Sequence, residues 1–132
     1  MNSGTVGAHV RHIVEHYQSL LSAAETVDYD KRARNVLIET QQKTAIEALK
    51  TLTLQLDTFT SDRSIHVLCS TNSCENPVAS ISSLRRELVF VHSHTTHHMA
   101  IIRILALTMK LPISINFGKA TSTQKYEHNV QC

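Results

Sequence analysis

Apolar positions recur along this chain mostly with the period of a helix. The longest run spans about Ser82 to Lys110. In it, Leu84, Leu88, Val91, His94 or Thr95, His98, Ile101 or Ile102, Leu105 and Met109 follow one another in steps of three and four. That is the spacing of one buried helix face. Ser82 or Ser83 offers the cap, and Pro112 the stop. A second run starts after Ser3 or Thr5 and reaches about Ala24, with Val6, Val10, Ile13, Tyr17, Leu20, Leu21 and Ala24 as its stripe. A third, from about Thr40 to Phe59, carries Ala45, Leu49, Leu52, Leu56 and Phe59, and its Thr44-Ala45-Ile46-Glu47 fits a capping box.

The segments between are less regular. Thr26–Glu39 is dense in charge without a clean period and reads as an ordered loop. Within Ser61–Ser80, the short run Ile65–Leu68 can extend, and Thr71–Pro77 is turn chemistry. Ile113–Cys132 reads as an irregular tail whose first half folds back on the helices. The expectation is a single domain over residues 1–132, all-α, an up-down bundle built on three long helices.

Composition narrows the function classes. Hydrophobic residues are 42 % and charged residues 18 %, a globular rather than a disordered balance. The net charge of +2 comes with no basic stripe, which argues against nucleic acid. No run of apolar residues is long enough for a membrane span, and the first residues lack a secretory pattern, so a cytoplasmic protein is expected. Cys69, Cys74 and Cys132 form no CxxC pair, and their odd number fits free thiols better than a disulfide framework.

Chemistry concentrates in the histidines. His94 and His98 sit where the long stripe wants apolar side chains, and four residues apart they project from adjacent turns. Buried without partners, two neutral imidazoles would be costly. Together they can ligate a divalent metal such as zinc, nickel, iron or copper. His92 and His97 lie off the stripe, as surface or supporting residues. The first helix adds His9, His12 and His16, with His12 at the edge of its stripe and His9 and His16 as supporting candidates. One histidine from that helix plus His94 and His98 would give three nitrogen ligands and an open coordination position, the pattern of catalytic zinc. Arg32 and Arg34 can pair with a substrate carboxylate or phosphate, or with Asp28 and Asp30 at the surface.

Five stretches in order resemble the DinB-like (DinB/YfiT) family of metal-binding helix bundles. Ser93-His94-Thr95-Thr96-His97-His98 resembles the family's HxxxH helix, and Gly7-Ala8-His9-Val10-Arg11-His12-Ile13 its other histidine-bearing helix. Val27–Arg34, Arg86-Glu87-Leu88 and Phe117–Thr123 resemble segments of a bacterial subgroup. The resemblance implies a triad of His12, His94 and His98 on zinc, nickel or iron, with His9 competing with His12. It makes Glu87, two turns before His94, a candidate orienter of a ligand imidazole. The family bundle has a helix ahead of the first histidine that this chain has no room for, which implies a homodimer completing the bundle. Some relatives are metal-dependent thiol S-transferases using low-molecular-weight thiols. The resemblance thus implies such an enzyme or a hydrolase-like one, with a non-catalytic dimeric helical module as the alternative.

Overall fold

Thr5 starts the first helix, because its backbone is extended and its Oγ1 accepts the Ala8 N–H at 3.1 Å. That bond satisfies one of the amides every helix start leaves orphaned. The computed structural model describes residues 4–72 and 76–130. Helix α1 (Val6–Ser22) buries Ala8, Ile13, Val14, Glu15, His16 and Leu20. Past its end, the carbonyls of Ala23 and Ala24 accept from the Arg63 guanidinium, far along the chain. Strand β1 (Thr26–Asp28) follows, then the short helix α2 (Val36–Thr40), capped by Asn35 Oδ1 accepting the Leu37 N–H at 3.0 Å. Helix α3 (Gln42–Asp57) comes next.

Two more strands correct the all-α expectation. β2 (Ser64–Cys69) lies between β1 and β3 (Val78–Ser83), parallel to the first and antiparallel to the second. Val27 stands opposite Val67, and Ile65 opposite Ser82. The described residues therefore form a mixed α/β structure of five helices and a three-stranded sheet, not an up-down bundle. The pattern hid this for a physical reason. β2 alternates with period two, Ile65 buried and His66 exposed, over only six residues. β3 is half serine, and its Ile81 points to solvent. β2 keeps the extended run expected at Ile65–Leu68, but β3 lacks the apolar content that sets strands apart from loops; pairing with each other is what makes the two a sheet.

One sheet face packs on helices. Leu20, Val27, Ile65, Leu84 and Val91 form a core between the sheet and two helices. Val14, Ile38 and Leu52 form a second core among α1, α2 and α3. Thus α1 lies at the centre, which is why so much of it is buried.

Helix α4 (Leu84–Thr108) grows straight out of β3: Ser83 ends the strand and caps the helix, its Oγ accepting the Arg86 N–H at 3.2 Å. Its stripe is the expected one through Leu84 and Val91 to Ile102, whereas Met109 is exposed. Lys110 closes it at φ 57°, in the left-handed region, two residues before Pro112. Proline bars the preceding residue from helical geometry, so the chain must leave the helix here.

Three finer expectations also change. The loop Thr26–Glu39 holds β1 and α2. The second long helix starts at Gln42, close to the expected Thr40 and not at the Thr44 box; Thr44 donates to Gln41 Oε1, and the inner line is Ala45, Ala48 and Leu52, with Leu49 exposed. The tail is not irregular throughout. Gly118, at φ +73°, lies so close to α4 that a Cβ would come within 2.7 Å of the Met99 carbonyl oxygen, and helix α5 (Thr121–Val130) follows with no buried residue. Arg103 Nη1 ties this segment to α4 by donating to the Phe117 carbonyl at 3.2 Å. Cys69 is an exposed thiol at the end of β2. Cys74 and Cys132 lie outside the described residues, as does the middle of the Thr71–Pro77 turn. Among the described residues, no helix is long and apolar enough to cross a membrane.

Candidate metal centre

The two histidine-bearing helices run antiparallel and meet histidine to histidine. His9 Nδ1 and His98 Nδ1 share a hydrogen bond at 2.8 Å, and His12 Nε2 and His94 Nε2 another at 2.8 Å. His16, one turn beyond His12, brings its ring centroid to 4.2 Å from His12 and 4.5 Å from His94. One ring nitrogen each from His12, His16 and His94 lies within 4.8 Å of the others, so these three could hold a metal ion. A tetrahedral zinc with ordinary Zn–N bonds sets its ligand nitrogens about 3.3 Å apart. The His12–His94 pair, at 2.8 Å, lies inside that value, and all three nitrogens lie within 4.8 Å of one another.

Four imidazoles surround the centre. The His98 ring centroid lies 4.4 Å from that of His12, tilted to it, and 4.6 Å from that of His94, edge-on to it, and His98 Nδ1 is held by His9. His12 and His94 thus stand in both the expected triad and the converging one, and the two differ in the third ring. His16 has the better-defined lone pair. Its Nδ1 lies 2.8 Å from the His12 carbonyl, so Nδ1 carries the proton and Nε2 is left unprotonated. A backbone carbonyl that fixes a tautomer in this way is the usual support of a ligand histidine.

The cluster keeps its rings neutral. Burial, helped by the neighbouring His16 and Arg32, lowers the His12 pKa to about 3. Burial also lowers His16 to about 4, against the opposing pull of its bond to the His12 carbonyl. His98 falls to about 4 through burial and His94, and His94 falls through burial and His97. Neutral imidazole is the form that ligates metal.

The surroundings divide into a charged side and an aromatic side. On the charged side, Arg32 is no surface partner of Asp30. It turns inward, donates from Nη2 to His12 Nδ1 at 3.0 Å and from Nη1 to the Tyr29 carbonyl, and pairs with buried Glu15 at 3.6 Å. Arg11 reaches the same Glu15 at 3.7 Å and pairs with Glu39 at 2.8 Å. Arg34 is exposed, and His97 is exposed with its ring edge against His98. His92 is exposed as well. On the aromatic side, Tyr29 stacks on His16 and Phe90 stacks on His94. Glu87 is buried and, among the described residues, hydrogen-bonds to no histidine: it accepts from Tyr29 Oη at 3.0 Å and Ser82 Oγ at 2.6 Å. Any hold it has on a ligand ring passes through Tyr29.

Reading by stripe placed His16 beside the centre rather than in it. The signal for it is the spacing His12-x-x-x-His16, which repeats that of His94 and His98. Tyr29 had no sequence signal, since it enters from a loop. Comparison with family models, with curated proteins and with solved structures found no significant match. The family resemblance rests on the five quoted stretches alone.

Proposed function

We propose that this chain is a divalent-metal-binding protein in which His12, His16 and His94 hold the ion, with His98 beside it. The observation that carries this is the convergence of three ring nitrogens within 4.8 Å. Its support is chemical as well as geometric. The rings are neutral, one tautomer is fixed by a carbonyl, and no carboxylate stands in the group, a donor set suited to zinc, nickel or iron. Three protein ligands leave a position open, and this favours a metal-dependent enzyme of the thiol S-transferase or hydrolase-like kind. An ion there supplies Lewis acidity, lowering the pKa of a thiol or water beside it. Around it, Arg32 offers a fixed positive charge, and Tyr29 and Phe90 shield the rings from solvent.

Elemental analysis by plasma mass spectrometry tests the reading. Wild type should retain roughly one ion per chain after zinc add-back, and the His12→Ala/His16→Ala/His94→Ala variant none. A metal-free wild type would overturn it. A second reading, a non-catalytic module that pairs with another copy, is favoured by Ile104 and Leu107, apolar residues 64 % and 54 % exposed on one face of α4. It predicts a dimer mass by light scattering and no metal-dependent turnover of any thiol.

A further inference from the structure

A cavity of about 320 Å³ opens against His16, with Arg32 not among its lining residues, and its walls have a chemistry of their own. Tyr29 and Phe90 give it aromatic sides, Val67 and Leu68 an aliphatic one, and Arg86 a positive charge. The size is within the ordinary range for small-molecule sites, which are mostly apolar with few polar anchors. His16 lines this cavity as well; its Nδ1 is spent on the His12 carbonyl, and its Nε2 is the nitrogen assigned above to the ion.

The charges in this wall are not equivalent. Glu87 is occupied on both oxygens, by Tyr29 and by Ser82. Asp30 accepts the Ser70 N–H through Oδ2 at 3.2 Å. Among the described residues, the Arg86 guanidinium makes no ion pair or hydrogen bond. It is the one cation among the wall residues, beside the carboxylates of Asp30 and Glu87, and its fork matches a carboxylate.

We propose that this cavity receives a small carboxylate with an aromatic or apolar body. The carboxylate meets Arg86, the body lies between the Tyr29 and Phe90 rings and the Val67–Leu68 edge, and the far end reaches His16. The proposal rests on the metal-centre reading only for what happens at His16; the binding itself needs no metal.

Benzoate is the probe, titrated into metal-free and zinc-loaded protein with calorimetry and proton NMR of the aromatic and histidine rings. In wild type, benzoate should bind and shift the Tyr29, Phe90 and His16 ring signals. Arg86→Gln, an exposed change with little effect on melting temperature, should weaken binding by about tenfold, the scale of a lost hydrogen bond to a charged group. Arg85→Gln, next to it but outside the cavity wall, should bind as wild type does. Equal affinity in Arg86→Gln, shifts confined to other residues, or no binding by wild type would overturn the proposal. Binding with these shifts in a protein that takes up no zinc would sink the metal reading and leave this one standing; zinc uptake without benzoate binding would do the reverse.

Discussion

Arg32 decides where the protons of the histidine cluster sit. A guanidinium only donates, so the His12 Nδ1 it contacts at 3.0 Å presents a lone pair, and the neutral ring carries its proton on Nε2. That proton lies on the 2.8 Å line to His94. Metal binding through His12 Nε2 needs the opposite tautomer, with an N–H pointing at Arg32. Removing the guanidinium in Arg32→Met is therefore expected to tighten zinc binding by about tenfold, read by competition with a chromophoric chelator. Unchanged or weaker binding would mean that Arg32 does not oppose the ligand tautomer. The third ligand is decided in the same assay: His16→Ala should lose stoichiometric zinc and His98→Ala should keep it, and the reverse would restore His98 to the ligand set. At this scale the sequence was informative about which side chains matter. Helix period brought one histidine of the first helix toward His94 and His98, and the family resemblance chose His12 from among that helix's histidines. Neither could rank His16 against His98, because that depends on which ring nitrogen a backbone carbonyl or a neighbouring histidine has already taken.

Among the elements, α1 and α2 approach closely at Gly7. A Cβ on Gly7 would collide with the Glu39 backbone carbonyl, so glycine here is a matter of space. Gly7→Ala should cost about 1–3 kcal/mol, the range for overpacking, despite alanine's better helix propensity. The urea midpoint measures it; a stabilised variant would show that α2 can move away freely. The long helices were legible because α1 and α4 repeat their stripes over many turns. The sheet was not, since β1 has three residues and β3 is serine-rich. Short strands of that kind are defined by long-range partners, which no local window contains. The short helix α5 buries nothing, and so left no stripe to read.

For the molecule as a whole, the neutral histidines predict a pH dependence of stability. Folded His12, His16 and His98 titrate at about 3, 4 and 4, against the ordinary 6.5 they recover on unfolding. Between those values the unfolded chain binds more protons than the folded one, so stability rises with pH across the window and falls on acidification. Above the ordinary value these groups contribute no further slope. Metal-free protein should melt at a lower temperature at pH 4.5 than at pH 7, and the His12→Ala/His16→Ala/His98→Ala variant should show a shallower loss; identical slopes would assign the acid sensitivity to other groups. A last consequence concerns the seam at Ser83, where strand passes into helix with no residue between. The strand acts as an index mark that sets the rotational phase of everything after it. One alanine inserted between Ser83 and Leu84 would turn the following helix by about 100° about its axis. It would carry His94 out of step with His12, a gearing error that leaves circular dichroism nearly unchanged and zinc uptake abolished.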